Sequence, residues 1–154
     1  MLTASRVELP QWDDPELAQW TRAIVEAVRN AQRPVGCVAH ALGVAALAHA
    51  APALSPAKVK GALLVTPPSE EALLGMAEID RAFAPFPRDP LPFPSLLVAS
   101  RSNPYADFET SEDIALAWGS KLTDAGLAGA IDDQSGHGPW PEGLMSFAAF
   151  LRKL

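Results

Sequence analysis

Five consecutive residues, Ala39-His40-Ala41-Leu42-Gly43, have the form of a reactive turn without its reactive atom. They close an apolar run, Val35 to Ala39, and open an alanine-rich stretch from Leu42 to Ala51. A sharp strand-to-helix turn between small residues is the G-x-S-x-G device, which lifts a serine hydroxyl clear of a sheet to attack an ester or amide carbonyl. Ala39 is small enough to replace the first glycine, and Gly43 is the second. The backbone N–H of Leu42 would be one donor to the oxyanion. The serine position, however, holds Ala41, which cannot attack a carbonyl.

Other residue types offer parts of the same chemistry. His40 adjoins the turn and reads as a packed or hydrogen-bonded turn residue rather than a base. His49 falls on the alanine-rich helix and reads as structural. His137, in Ser135-Gly136-His137-Gly138-Pro139-Trp140, is the histidine that could reach a cleft. The three histidines share no metal-ligand spacing, and mid-strand Cys37 is expected to be buried and inert, so neither a metal nor another cofactor is expected. Ser100, Ser102 and Ser135 read as turn or cap residues, and Asp132 and Asp133 as solvated loop charges. Trp12, Trp20, Trp118 and Trp140 read as core or cleft walls. Pro67, Pro68 and Tyr105 are expected to line a pocket, together with His40 and His137.

The elements that would hold these residues alternate in type. A short strand is expected at Arg6-Leu9, closed by Pro10. An Asp cap and Pro15 predict a helix from Asp13 to about Asn30, with Leu17, Trp20, Ile24 and Val28 at helical spacing. Strands are expected at Val35-Ala39, Val59-Val65 and Ser95-Ala99, with a short one at Ser120-Ala125. Helices are expected at Leu42-Ala51, Ser69-Ile79, Asp107-Trp118 and Pro141-Leu154. The middle strands are apolar throughout, the pattern of a parallel sheet covered on both faces, so the fold class is α/β with three layers, α/β/α. In such sheets function gathers in loops beyond the carboxyl ends of the strands: His40-Ala41, Thr66-Pro68, Ser100-Tyr105 and Gly126-Trp140.

Composition narrows the classes. The chain has 154 residues, 49% hydrophobic and 19% charged, enough for one domain with a core. One cysteine excludes an internal disulfide framework. A formal net charge of −6 and the lack of a Lys/Arg cluster argue against nucleic acid. No apolar run approaches a membrane span, so a cytoplasmic protein is expected.

Taken in order, CVAHALG, GALLVTPP, LPFPSLLVASRSNPYADFE, AWGSKLTDAG and GAIDDQSGHGPWPEG resemble one family over nearly the whole chain. It is the small serine hydrolases of the retinoblastoma-binding-protein-9/YdeN type, within the α/β-hydrolase fold. The resemblance implies hydrolysis of a small ester or amide through an acyl-enzyme. The family pattern is H-S-x-G at the elbow, D-P-Y after the later strand and G-H-I in the Gly-rich loop. It places the nucleophile at Ala41, the acid at Asn103 and the base at Ala130, and all three depart from the pattern. His137 lies past the base position. Replacement of serine, aspartate and histidine by alanine, asparagine and alanine leaves the rest of each motif intact. Deliberate mutation and a natural pseudoenzyme both account for this, and a trace of esterase activity through His137 and a loop serine is a third alternative.

Family members also begin with a strand and a Gly-rich loop upstream of the segment matching Ser5-Leu9. The shortened sheet is expected to be closed by Arg6-Leu9 pairing with Val35-Ala39, by Met1-Thr3, or by another chain. The last case makes a homo-oligomer, or a protein-binding module, the alternative to a disabled hydrolase with a small-molecule ligand.

Overall fold

The structure is a computed structural model that describes residues 7–10, 14–131 and 152. Its elements run α1 (Leu17–Asn30), β1 (Val35–His40), α2 (Leu42–Ala50), a 3-10 turn (Ala51–Ala53), β2 (Val59–Val65), α3 (Glu70–Leu74), a second 3-10 turn (Arg81–Phe83), β3 (Ser95–Ala99), α4 (Phe108–Trp118) and β4 (Lys121–Asp124). The four strands form one parallel sheet in the order β1-β2-β3-β4. Parallel strands need crossovers, and a helix lies between each pair.

β2 and β3 have the expected bounds, because Pro and Thr-Pro-Pro punctuate both apolar runs. Four expectations are corrected. Val7 to Leu9 form no strand. The carbonyl of the adjoining Pro10 accepts the indole N–H of Trp20 at 2.9 Å, which ties this segment to α1 instead of the sheet. α1 starts at Leu17 rather than at Asp13, and Glu16 makes no side-chain cap. The first-turn N–H of Leu17 instead donates to Asp80 Oδ2 at 3.0 Å, a cap from far along the chain. Ser69 does cap α3, accepting from the Ala72 N–H at 3.0 Å, yet the helix ends at Gly75 and not at Ile79. The chain must turn there to bring Phe83, fully buried, into the core against the edge of Trp20. β4 is trimmed to Lys121–Asp124. The expected helix over 141–154 lies outside the described residues except for Arg152.

α4 ends as read, with Gly119 in the left-handed region at φ 71. One face of the sheet, carrying Ala62, Leu64, Leu97 and Ala99, packs under the described helices α1–α4 with Val44, Leu47, Ile114 and Trp118. Full burial of each large side chain there contributes roughly 1.5–3 kcal/mol. The opposite face carries Leu63, Val65, Leu96 and Val98, met by Ala128 and Ile131. At β1 this second face is open: Gly36, Val38 and His40 are exposed, Val38 by 55%. No described helix is long and apolar enough to cross a membrane.

Candidate functional site

The loop ends of all four strands meet at one edge of the sheet. Ala41 sits where β1 becomes α2, at φ 54 and ψ −121. An L-residue seldom adopts such a backbone, and a strained strand-to-helix turn is where the elbow motif holds its nucleophile. The turn is locked on both sides: the Ala41 N–H donates to the Val65 carbonyl, and its own carbonyl accepts from the Val44 N–H, each at 3.0 Å. A methyl group added at Gly43 would lie 4.0 Å from the Ala39 Cβ, so the two small residues face each other across the turn. The Leu42 N–H opens α2 and has no acceptor among the described residues. It is therefore available to a developing negative charge at a helix N-terminus.

Asn103 lies half-buried in the loop after β3. Its Oδ1 accepts from the Tyr105 N–H at 3.0 Å, so the side chain shapes its own loop. Ser102 joins this loop to the next one, its Oγ accepting from the Gly129 N–H at 2.9 Å. Ser100, 2% exposed, does more: its Oγ accepts from the N–H groups of Ala128 (3.1 Å) and Ser102 (3.3 Å) and donates to the Gly126 carbonyl (3.3 Å). Neither serine is paired with a base among the described residues. Ala130 is buried, and its carbonyl accepts from His40 Nε2 at 2.7 Å and Thr66 Oγ1 at 2.8 Å.

The structure thus brings Ala130 against His40, the neighbour of Ala41. Asn103 is linked to the same loop through Ser102. His40 is the hydrogen-bonded turn residue expected, and His49 bonds the Phe83 carbonyl at 2.9 Å as a structural residue. Pro67 lines a cavity of about 130 Å³ with Pro68, Phe86, Thr110 and Ile114, crossed by the Glu70–Arg88 ion pair. His40 and exposed Tyr105 do not line this cavity. His137 lies outside the described residues, as do Trp12, Trp140, Asp132, Asp133 and Ser135. Cys37 is half-buried rather than fully buried. Desolvation pushes its thiol up to about 11, which keeps it protonated and a poor nucleophile. No group of three or more His, Cys, Asp or Glu side chains among the described residues could hold a metal ion.

Two structural roles, those of Thr66 and Ser100, leave little trace in the sequence. Thr66 is buried at φ 43, an outlier for a β-branched residue that precedes proline. The only sequence signal for it is its place between an apolar strand and Pro67-Pro68. Ser100, expected as a turn or cap residue, is the buried acceptor that stitches two loops.

With this geometry, a family model described as Serine hydrolase matches residues 1–149. The chain belongs to this serine hydrolase family. Among solved structures it is similar to a protein described as a YdeN-like hydrolase from Pectobacterium atrosepticum, with 29% identity and a TM-score of 0.80 over 96% of this chain and 75% of that one. It is also similar to the ydeN gene product of B. subtilis, with 18% identity and a TM-score of 0.77 over 94% and 80% of the two chains. A third structure, described as a hydrolase of the alpha/beta superfamily from Xanthomonas campestris, has 17% identity and a TM-score of 0.66, over 91% and 71%. No curated protein matches the sequence. The chain has the α/β-hydrolase type of fold, and its strained turn at Ala41 lies between the first strand of the described sheet and the helix that follows.

Proposed function

We propose that this chain keeps the binding and turn geometry of a hydrolase for small esters or amides while lacking the three groups that would perform the acyl transfer. The observation that carries this reading is the backbone of Ala41, held at φ 54 and ψ −121 although alanine gains nothing chemical from the strain. Ala41 stands at the nucleophile position, Asn103 at the acid and Ala130 at the base, with the Leu42 N–H as oxyanion donor. A serine at 41 would pass its proton to a histidine at 130, and an aspartate at 103 would stabilise the resulting imidazolium. Alanine can neither attack nor take a proton, and asparagine carries no charge. The unmodified chain is therefore inactive by the acyl-enzyme route and can still bind a small ester or amide.

The test compares the chain with a variant carrying Ala41→Ser, Asn103→Asp and Ala130→His. Hydrolysis of a short-chain p-nitrophenyl ester and labelling by a fluorophosphonate are followed in both. The restored variant should label and exceed the unmodified chain by at least about 10³-fold. Labelling of the unmodified chain would reject the assignment of position 41.

A second reading, a self-associating module, is favoured by one observation. The N–H groups of Val35 and Ala41 point toward β2, so strand alternation turns the backbone groups of Gly36, Val38 and His40 to the open side. No described strand pairs with them. The strand carries no formal charge, and no described strand covers its open edge. Two copies could pair antiparallel about a two-fold axis through Val38. Light scattering should then show a dimer that Val38→Lys dissociates, and a monomer at all concentrations would reject this reading.

A further inference from the structure

The loop that carries residue 130 is held by its backbone at three successive residues, from three different strand ends. Ser100, just past β3, accepts the Ala128 N–H, and Ser102 accepts the Gly129 N–H. The Ala130 carbonyl then takes one donor from the end of β1, His40, and one from the end of β2, Thr66. A carbonyl oxygen has two lone pairs, and both are used. Because the acceptor is a carbonyl, His40 Nε2 must carry the proton. The neutral Nε2–H tautomer and the imidazolium both meet that demand. Thr66 holds its place at a backbone angle that costs a β-branched residue free energy, and such strain persists where the surroundings over-determine it.

None of these bonds involves the side chain of residue 130. We infer that His40 and Thr66 are positioning residues, whose paired hydrogen bonds to the residue 130 carbonyl fix that residue beside the elbow whatever its side chain. This rests on the reading of residue 130 as the base position. It explains how the loop keeps its place here with alanine at 130. It also assigns His40 Nε2 a task other than proton transfer: a proton-carrying nitrogen committed to a carbonyl cannot itself serve as a base.

The test uses two backgrounds. In the restored triple variant, Thr66→Val removes one donor at nearly constant volume, and His40→Phe removes the other. Misplacing a base by a fraction of an ångström to an ångström should lower kcat by about 10- to 100-fold and leave KM nearly unchanged. Thr66→Ser returns a hydroxyl and should recover most of the loss, which a packing role for the threonine methyl would not. In the unmodified chain, the carbonyl carbon resonance of Ala130 reports the two bonds directly and should shift upfield in Thr66→Val and return in Thr66→Ser. If the restored variant turns over ester and Thr66→Val leaves kcat unaltered, the positioning role is refuted. If the restored variant is silent, the functional reading fails, and the Ala130 resonance decides alone: no shift in Thr66→Val overturns the inference.

Discussion

Replacing Ser100 by alanine removes one oxygen and should cost far more than the same change at Ser102, two residues away. Ser100 Oγ is the acceptor for the buried Ala128 N–H at 3.1 Å and for the Ser102 N–H at 3.3 Å. Alanine at 100 leaves the Ala128 N–H buried without a partner, at a cost of about 1–3 kcal/mol. The Ser102 N–H is only partly buried and can turn to water. The Gly126 carbonyl keeps the Arg101 N–H at 2.7 Å. The sum is about 2 kcal/mol, almost all of it from one amide. Ser102→Ala frees the Gly129 N–H instead, whose bond is exposed, so water replaces the lost acceptor and the cost stays within about 0.5 kcal/mol. Urea unfolding followed by the fluorescence of Trp20 and Trp118, both buried, reads the difference. With a slope of about 2 kcal/mol per molar, Ser100→Ala should lower the midpoint by about 1 M at unchanged slope, and Ser102→Ala by no more than about 0.25 M. Equal midpoints for the two variants would refute the argument that burial of the orphaned amide sets the cost.

Two further outcomes follow from the same geometry. Ala41→Gly should raise stability by about 0.5–1 kcal/mol, since relief of a positive-φ backbone outweighs the added freedom of the unfolded chain, whereas Ala41→Val should lower it; thermal unfolding checks both. The Asp80 carboxyl lies below its ordinary value of 3.8 because it accepts the N–H groups of Ala82 and Leu17. A carboxyl lowered on folding lends stability above the unfolded value, and that stability is lost as pH falls below 3.8 through the folded value. Asp80→Asn should therefore lose less stability than the unmodified chain when unfolding midpoints are compared on acidification.

What could be read from the sequence followed from how local its cause was. β2 and β3 were legible to the residue because Thr66-Pro67-Pro68 stops the first largely apolar run and Pro94 opens the second. The cap Ser69 was legible because its oxygen lies three residues from the N–H group it binds. The start of α1 was not, since its cap, Asp80, is 63 residues away. Arg6-Leu9 has strand-forming residues, but propensity over four residues does not supply a pairing partner. At the site, the turn at Ala41 was legible from the small residues on either side. The positive φ of Thr66 was hidden, because a β-branched side chain argues against that conformation. The bond from His40 to the Ala130 carbonyl joins residues 90 apart, and no spacing rule reaches that far.

The strand order has a consequence for how the chain comes together. Each described strand pairs with the one completed just before it: Val35 with Val59, Ala62 with Ser95, Leu96 with Lys121. No described strand must wait for a later one to be inserted beside it. Loop closure is therefore met in short, similar steps, and the sheet can grow in one direction from β1 as a chain leaves a ribosome. Among the described residues, the carbonyl of Ala130 reaches back to His40 and Thr66, so the parts of the candidate site meet only after the four described strands have been made.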